Sequence, residues 1–153
     1  MLVPMTTADF LDRAVAVYHD RVGVIDEPQQ PAETLGSLTY GAFAARVRAL
    51  AAGLDQLGVA PGDRVAVVTP NAARLLELFF AVTSYGRILV PINFRLQPDE
   101  VSYIVEHAGA STLLVDSDHD KSLAAVCVQN RFVLGLRVGC RPAASRPGSA
   151  ALA

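Results

Sequence analysis

The sequence predicts an α/β fold, a partial parallel sheet with flanking helices. Two observations lead there. Short β-branched runs alternate with apolar residues recurring at helical spacing. The connections between them are short and carry Pro, Gly, Asn or Asp where a turn or a helix end needs them.

Thr6-Thr7-Ala8-Asp9 fits a capping box, a hydroxyl followed three residues later by a carboxylate. Phe10, Ala14 and Val17 follow at helical spacing. Val22 to Asp26 reads as a strand, and Glu27 to Gly36, with two Pro and two Gln, as a loop. Ser37-Leu38-Thr39-Tyr40 leads into a helix with one apolar stripe: Phe43, Val47, Leu50, Leu54 and Leu57. Gly58 is placed to end it. In Ala60-Pro61-Gly62-Asp63, Pro presets the first turn position and Gly supplies positive φ at the second, a type II turn. Arg64 to Val68 reads as a buried parallel strand. Asn71 is a candidate cap for a helix from Ala72 to about Tyr85. Only Arg74 and Glu77 are charged in it, so burial on most sides is expected. Gly86 closes it, and Ile88-Leu89-Val90 is the next strand. Pro98 opens a further helix, with Asp99 and Glu100 facing the positive end of its dipole. Val101, Ile104, Val105 and Ala108 form its apolar face, Gly109 ends it, and Thr112 to Val115 is another strand. From Arg64 to Asp116 the order is β-α-β-α-β, the pattern of a right-handed parallel sheet.

The chain has 153 residues, 52% hydrophobic and 18% charged, which places it among globular proteins. A formal charge of −2 argues against a nucleic-acid surface. No uncharged run, Leu78–Gly86 included, is long enough to span a bilayer. The first residues lack the basic and apolar regions of a secretory signal. Cys127 and Cys140 are therefore expected to be reduced thiols of a cytoplasmic protein.

The charge is uneven. Met1 to Asp120 holds 8 basic and 15 acidic residues, whereas Lys121 to the end holds 5 basic and none acidic. Two regions are expected from this: residues 1–120, folded, and 121–153, an aberrant basic tail. Val126, Val128, Phe132, Val133 and Leu134 fit a strand or a helix equally well. Gly139 to Ala153, rich in Arg, Pro, Ala and Ser, is expected to be disordered.

Chemistry-bearing patterns are few. The sequence holds no G-x-x-x-x-G-K-[ST], no G-x-G-x-x-G and no G-x-S-x-G. His19 and His107 fall near helix ends, where a solvated or capping role is expected. Asp116-Ser117-Asp118-His119-Asp120 begins like a calcium loop, but Lys121 stands where that loop needs Gly and Cys127 where it needs Glu. A polar turn is the better reading. In Val90-Pro91-Ile92-Asn93-Phe94-Arg95-Leu96, Asn93 and Arg95 leave a strand at its carboxyl end, where open α/β sheets bind ligands. The plainer expectation is that Asn93 holds a turn and Arg95 pairs with a carboxylate. No residue is assigned as catalytic, cofactor-binding or metal-binding.

Several segments, in order, resemble the adenylate-forming (AMP-binding) superfamily, in the form of its fatty-acyl-CoA ligases. They are Leu38-Thr39-Tyr40-Gly41, Leu57 to Ala66 around Gly62-Asp63-Arg64, and Pro70-Asn71 with Glu77. Gly86 with Val90-Pro91-Ile92-Asn93, then Leu96 with Glu100 and Tyr103, and finally Leu114-Val115-Asp116 complete the set. The resemblance covers about Thr6 to Asp120, the amino-terminal part of the family's large domain. It implies an enzyme that joins ATP and a carboxylate, such as a fatty acid, into an acyl-adenylate and passes the acyl group to CoA, with Mg2+ present. The family's Ser/Thr/Gly/Lys-rich loop, aromatic-acidic motif, ribose-binding Asp and lid Lys have no counterpart here, and Lys121 is the only lysine. The chain is accordingly expected to be inactive alone and to bind neither ATP, Mg2+ nor CoA by itself. An uncovered apolar edge is expected to make it poorly soluble. A frameshift or truncation near Asp120–Leu123 would account for the tail. The alternatives are a non-enzymatic module that completes a split ligase by binding a partner chain, and a small nucleotide-binding domain, which the missing glycine-rich loop disfavours.

Overall fold

A computed structural model describes residues 5–30, 34–116, 123, 126 and 133–135. The chain opens with α1 (Thr7–Tyr18), followed by β1 (Val22–Ile25), β2 (Ser37–Thr39) and α2 (Tyr40–Gln56). Then come β3 (Arg64–Val68), α3 (Ala73–Thr83), β4 (Ile88–Ile92), α4 (Pro98–Ala108), β5 (Thr112–Val115) and β6 (Val133–Gly135). β1 and β2 form a small antiparallel pair, with Val24 opposite Leu38. The other four strands form a parallel sheet in the order β4-β3-β5-β6. The expected β-α-β-α-β unit is its centre.

The sheet's period of two sorts its residues onto two faces. Ala66, Val68, Leu113 and Val115 point to the face covered by Val101 and Val105 of α4. Val65, Val67 and Leu114 point to the opposite face, against Leu78 and Val82 of α3 and Leu54 of α2. A third cluster joins Leu11 of α1, Phe43, Ala44, Val47 and Ala51 of α2, and Ala81 of α3. Burying each large side chain stabilises the fold by about 1.5–3 kcal/mol. The apolar stripe of α2 is thus divided. Phe43 and Val47 serve the outer cluster, and Leu54 the sheet.

The local signals act as the sequence suggests. Thr6 donates its amide to Asp9 Oδ2 at 2.6 Å and its hydroxyl at 2.9 Å. At the end of α2 the Val59 amide donates to the Leu54 carbonyl at 3.0 Å and that of Gly58 to Asp55 at 2.9 Å. That double bond needs a left-handed residue, and Gly58 has φ of 75°. In the turn after it, Asp63 donates to Ala60 at 3.1 Å and Gly62 has φ of 88°. A Cβ at Gly62 would meet nothing within 4 Å, so only backbone strain opposes it. Gly62→Ala is expected to cost about 1–3 kcal/mol in urea unfolding.

Two readings need correction, and one holds with a qualification in detail. The cap of α3 is not Asn71. The helix starts from Ala72, and Ala73 donates its amide to Asp26 Oδ1 at 2.9 Å, a carboxylate 47 residues away. As expected, α3 is buried on most sides, apart from one narrow stripe. Its charged residues Arg74 and Glu77 are buried, while Leu76 and Phe79 are 41% and 44% exposed. Glu77 can lie inside because Arg46 pairs with it, while the outer apolar stripe has no layer over it among the described residues. Finally, the sheet does not stop before Asp120. Leu123 and Val126 are buried in the α4-side cluster, and Val133–Gly135 pairs with Leu113–Val115. Residues 136–153, Cys127 and Cys140 lie outside the described residues.

Candidate functional site

The direction of the crossovers locates a crevice. From β3 the chain passes to α3 on one face. From β5 it passes through Leu123 and Val126, which pack with α4 on the other. Adjacent strands whose connections leave to opposite faces define the switch point where open α/β sheets bind ligands. Here it lies between the carboxyl ends of β3 and β5. Thr69 Oγ1 donates to Asp116 Oδ2 across it at 3.2 Å, and both residues are buried.

Of the residues singled out in the sequence, Asn93 and Arg95 follow β4 at this edge, whereas His107 lies at the opposite end of the sheet, where Ser111 donates to the Arg64 carbonyl. Asn93 Oδ1 accepts the Arg95 amide at 3.0 Å, which is the turn-holding role. Arg95 meets no carboxylate among the described residues; its guanidinium stacks 5.3 Å from the Phe94 ring centre. His107, in the last turn of α4, stacks on Tyr103 at 5.6 Å. His19 Nδ1 lies 2.7 Å from Asp20 Oδ1, and its ring sits where a Cβ on Gly41 would have to go. His119 and the rest of the Asp116–Asp120 turn lie outside the described residues.

Asp26, read only as a strand end, organises a second region. Its carboxylate accepts from the amides of Ala73 and Leu35 at 2.9 Å each and from Gln30 Nε2 at 2.7 Å. Burial pushes this carboxyl up, but the Leu35 and Ala73 amides, the Gln30 side chain and the Glu27 amide outweigh burial and hold it below its ordinary range. A depressed carboxyl contributes stability that is complete above the unfolded value, near pH 4, and is lost as pH falls through the folded one. Asp26→Asn is therefore expected to destabilise the chain by about 1–3 kcal/mol at pH 7 and to flatten the acid limb of its stability curve. Beside Asp26 lies an open cleft of about 560 Å³ lined by Val24, Ile25, Pro28, Leu75, Leu76 and Phe79, among others. Ile25 is 78% exposed. Phe79→Glu is expected to raise the solubility limit while changing stability by less than about 0.5 kcal/mol, read by turbidity and urea unfolding.

The surroundings of three arginines are not legible in the local sequence. Arg46 of α2 forms a two-point ion pair with Glu77 of α3, with the longer contact at 3.3 Å. Arg87 pairs with Asp55 and donates to the Val59 carbonyl at 2.8 and 2.9 Å. Arg74 is buried with two guanidinium nitrogens unpartnered. A charge on an otherwise apolar helix was the only available signal, and it marked Arg74 and Glu77.

The described residues do not fit a nucleotide–metal centre. No group of three or more His, Cys, Asp or Glu stands together to hold a cation. Thr69 with Asp116 supplies one hydroxyl and one carboxylate, short of a Mg2+ shell. No helix among them is long and apolar enough to cross a membrane.

The sheet and its helices define an open parallel α/β fold. The profile of the family described as "AMP-binding enzyme" matches residues 11–142, and the chain belongs to that family. A feruloyl-CoA synthase of Amycolatopsis sp is 42% identical over 90 residues, 59% of this chain and 18% of that protein. A long-chain-fatty-acid–CoA ligase of Thermus thermophilus is 41% identical over 71% of this chain and 19% of its own. In structure, a long-chain-fatty-acid-CoA ligase from Archaeoglobus fulgidus matches with a TM-score of 0.80 and 25% identity, over 89% of this chain and 28% of that one. The chain thus spans about a fifth of the length of these curated relatives. The family match continues past Asp120, where the charge changes sign.

Proposed function

We propose that this chain is the amino-terminal portion of an ATP-dependent acyl-CoA ligase of the cytoplasm, and that it does not carry out the reaction alone. The observation that carries the reading is one of order. The segments resembling the ligases fall on β2, α2, β3, α3, β4, α4 and β5 in sequence, the elements that build the sheet. The intact enzyme would take ATP, Mg2+, CoA and a carboxylate. The relatives' names run from feruloyl to long-chain fatty acyl, so the acyl group stays open. The chemistry is assigned to residues outside this chain because its sequence has no phosphate loop. The change of reading frame expected near Asp120–Leu123 is proposed instead beyond β6, because the family match and the sheet both continue past Leu123. The downstream DNA, read in the other frames, is expected to encode a Ser/Thr/Gly-rich phosphate loop. Its absence from every frame would sink the reading.

The apolar cleft formed by Ile25, Leu76 and Phe79 favours a second reading, a module that completes a split ligase by binding a partner chain with the missing motifs. Co-purification of such a chain, abolished by Phe79→Glu, is the expected result. Absence of any such chain would remove this reading, and co-purification unchanged by Phe79→Glu would remove the cleft as its contact.

A further inference from the structure

Arg74 is the second residue of α3 and is 6% exposed. Its Nε and Nη1 are buried and have no hydrogen-bond partner among the described residues. A guanidinium cannot shed its charge, and a buried charge left unpaired is strongly destabilising. Three buried carboxylates among the described residues have partners of their own. Asp26 accepts from Ala73, Leu35 and Gln30, Glu77 pairs with Arg46, and Asp116 accepts from Thr69.

Arg74 lies one turn before Leu78 and two before Val82, the residues that pack on Val65, Val67 and Leu114. Helical side chains lean toward the helix amino terminus. Arg74 therefore extends that row past the strand ends, toward the first turn of α3 and the β3–β5 crevice. That turn adds donor capacity and a positive dipole end. Ala73 gives its amide to Asp26, and the Leu75 and Leu76 amides return to the Ala72 carbonyl. Arg74's own amide has no acceptor among the described residues.

We propose that Arg74 and the first turn of α3 form a receptor for a small oxyanion, the phosphate or carboxylate group of a small molecule. Nη2, the guanidinium nitrogen that is not buried without a partner, is the point of approach. The site stands on this geometry and does not depend on the ligase reading.

The full chain is titrated with sodium phosphate and, separately, sodium acetate, against sodium chloride at matched ionic strength, with melting followed by circular dichroism. At least one oxyanion is expected to give a saturable rise in Tm, about 5–11 °C at hundredfold excess over Kd. Phosphate alone responding assigns a phosphate group, and acetate responding assigns a carboxylate. Arg74→Met is expected to melt no lower than the parent in chloride and to show no saturable rise. In the unmodified chain, the Arg74 Nε–H resonance is expected to move along the same saturation curve. Equal rises in parent and Arg74→Met, no saturable rise with either anion, a static Nε–H resonance, or a lower Tm for Arg74→Met in chloride would each overturn the proposal.

Discussion

Arg46→Met is expected to lower stability by about 3–5 kcal/mol, because it strands a buried carboxylate. Glu77 is 1% exposed and receives Arg46 as a two-point pair between α2 and α3. The two partners are not equivalent. About a quarter of the Arg46 side chain keeps contact with water, and Glu77 has none. Removing the arginine leaves Glu77 without solvent or partner, whereas Glu77→Gln leaves an arginine that can turn outward. Arg46→Met should therefore cost more than Glu77→Gln. The double variant Arg46→Met/Glu77→Met should recover most of the loss, since apolar replacement of a buried pair is often neutral. Urea unfolding of the four proteins checks this. Additive losses would contradict the pairing.

Phe43→Ala is expected to cost about 3–5 kcal/mol by opening a cavity where α1, α2 and α3 meet. Phe43 is 2% exposed and meets Phe80 edge to face, with ring centres 5.8 Å apart. Phe79, next to Phe80 and 44% exposed, is the internal control. Phe79→Ala should change stability by less than about 0.5 kcal/mol. A total stability of about 5–15 kcal/mol makes the Phe43 loss visible as a large drop in the urea midpoint.

These two sites mark how far the sequence could be read. Phe43 belongs to a stripe of 3.6-residue period and was legible as core. The turn at Gly62, the cap at Gly58 and the central strands were legible for the same reason, since each is decided by residues within a few positions. What was not legible is decided at long range. Asp26 caps α3 from 47 residues away, and no local pattern announces it. β2 has three residues, too few for a period. Glu77 was legible as a charge on a largely buried helix, but its partner Arg46, 31 residues away, was not. Asn93 was read correctly as a turn residue, but Arg95 found an aromatic ring instead of a carboxylate. Kinship was legible through ordered short segments. Its extent was not, because residues 121–142 carry the family match without the charge pattern of the residues before them.

The central claim is that a chain with this sheet and without a phosphate loop belongs to a ligase family yet does not perform its chemistry alone. The most direct test is pyrophosphate release from the purified chain incubated with ATP, Mg2+ and a panel of fatty acids. The account predicts no release above the protein-free control. Carboxylate-dependent release over many turnovers would contradict it.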